Sequence, residues 1–249
     1  MTYLTVIMPA YNEEERLPKA INEVARFLAV QPYNSEILIV ENGSEDFTTK
    51  VAWAYLNLYS DYFENVRGRV IHSLKGKGAA VRAGMLMGQG TWLYMCDVDL
   101  STPIEFVKRF LPPRFEGEIG IGSRQAPGSA RYDEPFRRHL SGRVFNLLTR
   151  TLLPGISDTQ CGFKMFRRGI ARDIFNRVSI PGWAYDVQAL YLARRLGYEV
   201  AESGVPWYYN GDSKVNVVRD SLDIARDILK IWIRWQGGEY ELEEDLAHV

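Results

Sequence analysis

Between residues 3 and 122 the sequence alternates apolar runs of strand length with segments of helical period, and this alternation limits the fold more than any other feature. Tyr3 to Met8 reads as a strand. Asn12 then reads as the N-cap of a helix that opens on Glu13-Glu14-Glu15 and carries Leu17, Ile21, Val24 and Leu28. Glu36 to Val40 is a second strand, and Val51, Tyr55, Leu58 and Tyr62 mark the next helix. Val70-Ile71 is a short third strand, after which the turn KGKG, 75 to 78, leads into a helix through Met87. Leu93 to Cys96 is a fourth strand and EIGIG, 118 to 122, another. Such alternation implies right-handed crossovers and an α/β fold: a Rossmann-like, mostly parallel central sheet flanked by helices, with ligands at the strands' C-terminal ends.

Each of the first four strand ends carries a polar cluster: Pro9-Ala10-Tyr11-Asn12-Glu13, Glu41-Asn42-Gly43-Ser44, Lys75 to Gly78, and Asp97-Val98-Asp99. In a parallel sheet they share one rim, which points to a nucleotide site where the glycine turn lets the chain approach a diphosphate. In an extended chain residues two apart point the same way, so Asp97 and Asp99 converge. Two adjacent carboxylates repel unless a cation lies between them, and a divalent metal is the natural candidate. Neither aspartate is needed as a helix cap. Thr102 as N-cap, Pro103 at the first position and Glu105 closing a capping box already start the helix that follows.

The second half is less regular. Residues 123 to 137 read as a loop, and Leu140, Val144, Leu147, Leu148 and Leu152 as an amphipathic helix. After DTQCGFKMF come a short helix, a longer one over Tyr185 to Leu196, a strand near Glu199 to Val205, and a last helix from about Val217 to Trp235. The expectation is one domain over 1–238, with a nucleotide-sugar half at about 1–122 and an acceptor half at about 123–238, followed by an acidic tail at 239–249. A formal net charge of −1 gives no reason to expect nucleic-acid binding. Cys96 and Cys161 follow no metal or redox spacing, so both read as reduced thiols of a cytosolic protein. His72, His139 and His248 show no ligand spacing either. No signal segment opens the chain and no run reaches the ~18 apolar residues of a membrane span. The last helix nevertheless mixes Leu222, Ile228, Leu229, Ile231, Trp232 and Trp235 with Arg226, Lys230 and Arg234, a pattern suited to a lipid interface. The expected location is cytoplasmic and peripheral on a membrane surface.

PAYNEE, ENGS, KGKGAAVRAGM, DVDLS and GSR occur in the order and rough spacing of the inverting family 2 glycosyltransferases, which have the GT-A fold. DTQCGFKMFRR (158 to 168), GWAYDVQ (182 to 188) and SKVN (213 to 216) most resemble dolichyl-phosphate glucosyltransferases and related polyprenyl-phosphate sugar transferases. The resemblance covers about residues 3 to 235.

That resemblance implies roles for individual residues. Pro9, Tyr11 and Glu13 would line the base and ribose pocket, with Glu41 accepting a hydrogen bond from the base. Asp97, Val98 and Asp99 would face the sugar nucleotide, the two aspartates holding Mg²⁺ or Mn²⁺ against its diphosphate, with Lys77 and Lys214 at the phosphates. Asp158 looks like the catalytic or sugar-orienting carboxylate, alongside Asp99. Arg124, Arg138 and Ser141 would hold an acceptor phosphate, in a basic cluster with Arg137 and Arg143. Two departures stand out: Asn42 replaces a second acid after Glu41, and Ser101 stands where relatives often place a glutamine.

The implied reaction moves a sugar, with glucose favoured, from a nucleotide donor, with UDP favoured, to a polyprenyl or dolichyl phosphate. A GT-A transferase acting on a soluble or glycan hydroxyl shares the first-half motifs and would need a general base, for which Asp158 is the first candidate. A sugar nucleotidyltransferase would show a basic, glycine-rich N-terminal loop, whereas PAYNEEERL is acidic.

Overall fold

The computed structural model describes residues 1–133, 149, 153–210, 226, 227, 229–234 and 236. The amphipathic helix expected on Leu140, Val144, Leu147, Leu148 and Leu152, and the first part of the last helix, lie outside them.

Strands β1 (Leu4–Ala10), β2 (Ser35–Glu41), β3 (Val66–His72) and β4 (Trp92–Cys96) are parallel neighbours in the order β3-β2-β1-β4. The third strand is a full seven residues rather than the pair Val70-Ile71, because β2 pairs with it along its whole length. β5 (Ile119–Ser123), β7 (Phe163–Arg167) and β8 (Val200–Gly204) extend the sheet to seven strands in the order β3-β2-β1-β4-β7-β5-β8, so residues on both sides of position 122 build it. β7 was not expected. It runs antiparallel to both β4 and β5, which keeps those two parallel to each other.

Side chains alternate across β1 and β2. Val6, Met8, Ile37 and Ile39 pack one face with α1 (Leu17–Ala29) and α2 (Thr48–Tyr62), while Ile7, Leu38 and Val40 pack the other with α3 (Lys77–Met87), α4 (Arg168–Arg177) and α5 (Tyr185–Arg195). The sheet is therefore buried on both sides, as a parallel sheet requires.

Three local expectations are corrected. The first helix begins at Leu17, with Pro18 in its first turn, not at Glu13; Asn12 is left-handed (φ 51°) and its side chain accepts from the Glu45 N–H at 2.8 Å instead of capping. Residues Ile104–Phe110 form a 3₁₀ helix without a side-chain cap, so Thr102 does not cap it. The stretch read as a loop from 123 contains β6 (Ala130–Tyr132), which pairs in parallel with β9 (Pro206–Tyr208).

Candidate active site

β1 connects to neighbours on opposite sides, β2 and β4, and at such a reversal the turns part and leave a crevice. Register fixes what faces it. Ala10 pairs with Glu41 and Glu41 with His72, while Asp97 directly follows β4. Because β5 parallels β4 and Phe163 pairs with Cys96, Arg124 after β5 and the segment 158–162 before β7 arrive at the same rim.

The D-x-D does not sit on an extended chain. β4 ends at Cys96, and the Leu100 N–H closes a turn on the Asp97 carbonyl at 3.1 Å, with Leu100 left-handed (φ 46°). The turn, not strand alternation, brings the carboxylates together. Burial and then the nearby Asp97 charge push the Asp99 carboxyl above its ordinary value, despite the Ser101 N–H donated to Asp99 Oδ1 at 2.9 Å. Val98 between them is buried. Gly162 is pressed against Asp97: a Cβ there would overlap Asp97 Oδ2.

Lys77 Nζ lies 2.7 Å from Asp97 Oδ1 and 5.0 Å from the centre of the Trp183 ring. Burial alone would depress the ammonium, but Asp97, Asp186 and Asp99 outweigh it and hold it above its ordinary value. The glycines around Lys77 serve a different purpose from the one expected. A Cβ on Gly76 would collide with Pro181 O and one on Gly78 with Ile180 O, and the Gly78 N–H donates to Pro181 O at 2.8 Å. They admit another piece of backbone, and the start of α3 is already capped by it.

Asp158 is fully buried and both its oxygens are engaged. Arg124 donates to it from Nε (2.7 Å), Nη2 (2.8 Å) and its own backbone N–H (2.9 Å), and the Gln160 N–H adds a bond of 3.2 Å. Four bonds fill the roughly four acceptor positions of a carboxylate. Burial opposes its charge, yet the Arg124 guanidinium outweighs burial and holds the carboxyl down to about 2. A carboxyl this acidic and this enclosed is poorly matched to the work of a general base near neutral pH. The Trp207 ring covers the Arg124 guanidinium at 5.5 Å. Behind this row, buried Asp186 meets buried Lys164 at 2.8 Å. Burial raises the Asp186 carboxyl more than Lys164 and Lys77 lower it.

On the other side of the crevice, the first two polar clusters are laced together. The Asn12 N–H donates to Ser44 Oγ (3.0 Å), the Glu13 N–H to Thr48 Oγ1 (2.7 Å) and the Phe47 N–H to Glu14 (2.8 Å). The Glu13 carboxylate turns to Arg16 in a two-pronged pair (2.6 and 2.7 Å). Pro9, next to last in β1, pairs with Val40, and the Tyr11 ring carries Lys75 Nζ 5.3 Å from its centre. Buried Glu41 accepts from the Ser44 N–H and meets His72 Nδ1 at 2.9 Å. Burial raises its carboxyl, but the bonds from Ser44 and His72 bring it below its ordinary value. His72 was set aside at the level of sequence. The missing signal was register, since two parallel strands that end together place Glu41 beside His72. Arg138, Ser141 and Lys214, with Arg137 and Arg143, lie outside the described residues.

Among the described residues no third Asp, Glu, His or Cys completes a cluster around Asp97 and Asp99. Two carboxylates fit Mg²⁺ or Mn²⁺ shared with a diphosphate, since such ions commonly keep waters and take one or two carboxylates plus substrate oxygens.

Comparison with known proteins places this rim in context. The family described as Glycosyl transferase family 2 matches residues 5–175. The chain belongs to that family. Within it, dolichyl-phosphate beta-glucosyltransferase of Dictyostelium discoideum is 34% identical over 254 residues, spanning 97% of this chain and 77% of the relative. The Homo sapiens protein of the same name is 32% identical, over 97% and 78%. Among solved structures, glucosyl-3-phosphoglycerate synthase from Mycobacterium tuberculosis, in complex with Mn²⁺, UDP-glucose and phosphoglyceric acid, aligns with a TM-score of 0.63 at 16% identity, over 95% of this chain and 80% of that one. Mannosyl-3-phosphoglycerate synthase from Rubrobacter xylanophilus aligns at 0.64 and 16%, over 98% and 76%. These structures share the GT-A fold with this family 2 member.

Proposed function

We propose that this glycosyltransferase moves glucose from UDP-glucose to a polyprenyl phosphate such as dolichyl phosphate, inverting the anomeric carbon, with Mg²⁺ or Mn²⁺ bound. The relatives that match nearly the whole chain carry that activity in their names, and a related fold has been solved with UDP-glucose and Mn²⁺.

The observation that favours a phosphate acceptor is the state of Asp158. A sugar hydroxyl needs a base to take its proton, and the one candidate read from the sequence is committed to Arg124 on both oxygens. A phosphate monoester is already largely ionised near pH 7, because its second pKa is about 6. Its oxygen attacks C1 of glucose while the bond to the UDP oxygen breaks, and no protein group has to remove a proton. Asp97 and Asp99 would hold the ion, which would supply Lewis-acid stabilisation to the diphosphate leaving group. Pro9, Tyr11, Glu13 and Glu41 surround the base and ribose, with Lys77 and Lys214 at the phosphates. Arg124, braced by Asp158 and Trp207, holds the acceptor phosphate with Arg138 and Ser141.

Lipid acceptors demand access to a membrane surface. Among the described residues no helix is long and apolar enough to cross a membrane. Helical residues 229–234 bury Ile231 and expose Leu229, Trp232 and Ile233 beside Lys230, a face suited to a lipid interface.

Radiolabelled UDP-glucose incubated with a short polyprenyl phosphate and Mn²⁺ tests the reading. Label should pass to the organic phase and excess chelator should stop it. Label passing only to water-soluble acceptors, or transfer from GDP-sugars in preference, would replace it with the soluble-acceptor or a different donor reading.

A further inference from the structure

Lys77, assigned above to the donor phosphates, lies in this structure on the Asp97 carboxylate instead. It is not a loosely placed surface lysine. The turn that carries it is locked onto residues 180–182 by two glycines that tolerate no Cβ and by the Gly78 N–H to Pro181 O bond. Gly76 takes φ 122°, so the chain bends sharply just before Lys77 and helix α3 starts on that residue. The side chain then crosses to Asp97 at 2.7 Å under the Trp183 ring, with about a fifth of it exposed.

The charges around it form one connected row. Lys164 is 2.8 Å from Asp186 and Arg124 is 2.7 Å from Asp158, so each of these cations already has its own carboxylate. Among the described residues, the cation in contact with the Asp97–Asp99 pair is Lys77. An ammonium and a divalent ion on the same carboxylate repel strongly, and both need its oxygens. The four-carbon stem of a lysine lets its head move to another anion while the backbone stays fixed.

We propose that Lys77 is a resident counter-ion which a divalent metal must displace from Asp97, so that metal alone binds weakly and binds well only with the nucleotide diphosphate that takes over the lysine. This rests on the reading that Asp97 and Asp99 hold a divalent ion. Its consequence is order. The protein does not hold a bare, fully charged metal at an open rim, and metal and donor enter as a unit. Asp186, close behind Lys77 in the same row, remains as compensation when the lysine leaves Asp97.

Free Mn²⁺ measured by electron paramagnetic resonance tests this without turnover. Wild type, Lys77→Met, Lys77→Arg and Asp99→Asn are titrated with Mn²⁺, alone and with UDP. Wild type should bind Mn²⁺ weakly alone and far better with UDP. Lys77→Met should tighten binding of Mn²⁺ alone by about tenfold or more and shrink the gain from UDP. Lys77→Arg, which keeps the charge, should resemble wild type. A lysine with only a structural role predicts the reverse sign, since losing it would disorder the site and weaken metal binding. Unchanged or weaker Mn²⁺ binding by Lys77→Met, in a protein whose circular dichroism matches wild type, overturns the proposal. If that variant does not fold, Lys77→Gln is read in the same way. No Mn²⁺ binding by wild type even with UDP, or full binding by Asp99→Asn, instead overturns the metal reading of the aspartates.

Discussion

Arg124 and Asp158 are joined by three hydrogen bonds of 2.7, 2.8 and 2.9 Å, two from the guanidinium and one from the arginine's own backbone. The pair ties the turn after β5 to the segment that enters β7. In the folded chain the Asp158 carboxyl lies at about 2, against an ordinary value of 3.8. Between these values the unfolded chain binds the proton and the folded one does not. The pair's contribution is therefore complete above about pH 4 and is lost as pH falls through about 2, amounting to about 2 kcal/mol. Urea unfolding of wild type between pH 2 and 6 should show this loss, and Asp158→Asn should lack that component of it.

If Asp158 acts by holding Arg124, the two residues behave as a unit. Asp158→Asn leaves Arg124 without its counter-charge and should cost about 3–5 kcal/mol of stability. Arg124→Ala and Asp158→Asn should each reduce acceptor transfer, and the double variant should lose scarcely more than either one. Additive losses in kcat/KM would restore an independent catalytic role to Asp158.

Gly162 has a more direct tie to the metal site. A Cβ at this position would overlap Asp97 Oδ2, so Gly162→Ala must displace the carboxylate or the backbone beside it. Overpacking of this kind costs about 1–3 kcal/mol. The functional effect should be larger, about a hundredfold in kcat/KM, because reacting groups tolerate little misplacement. Calorimetry of UDP with Mn²⁺, set beside the melting temperature, separates the two. A large loss of stability with unaltered UDP–Mn²⁺ affinity would count against a role for Gly162 in placing Asp97.

How much of this could be read from the sequence depended on how local the cause was. β1, β2 and β4 announce themselves as apolar runs, and their polar ends mark the rim. β7 did not, because FKMFR carries Lys164 and Arg167 and its partners β4 and β5 lie far away in sequence. Lys164 is buried there because Asp186, on α5, and the Cys161 carbonyl come to meet its ammonium. The KGKG turn was recognised as a place of close approach, but sequence does not say what approaches. In the fold it is the backbone at 180–182. Likewise Asp158 was found by its motif, while its enclosure by Arg124 depends on β5 and β7 being neighbours.

The base side of the crevice gives a prediction about donor choice. Glu41 is buried and is oriented by the Ser44 N–H and by His72. Glu41→Gln keeps the shape but removes the charge, and should weaken UDP about tenfold or more, since a charge-assisted hydrogen bond is worth about 1.5–3 kcal/mol. His72→Ala should produce a smaller loss of the same kind by freeing Glu41. Competition calorimetry with UDP and GDP checks both; tighter binding of GDP by wild type would remove Glu41 from uracil recognition.

The last prediction concerns the membrane. Ile231 is fully buried against the domain, and Arg234 Nη1 donates to Ser179 Oγ at 2.7 Å, so this part of the last helix is docked. Docking leaves Leu229, Trp232 and Ile233 at 56%, 47% and 54% exposure on the opposite side. Burying the exposed half of each such side chain in an interface is worth about 1 kcal/mol, and a basic residue near anionic lipid adds about 1 kcal/mol. Replacing all three with Ser should therefore abolish flotation with anionic vesicles while the fold, held by Ile231, survives. Transfer to a short, water-soluble polyprenyl phosphate should persist in that variant, and transfer to a long-chain acceptor in vesicles should collapse. Equal flotation of variant and wild type would assign the exposed face to something other than lipid.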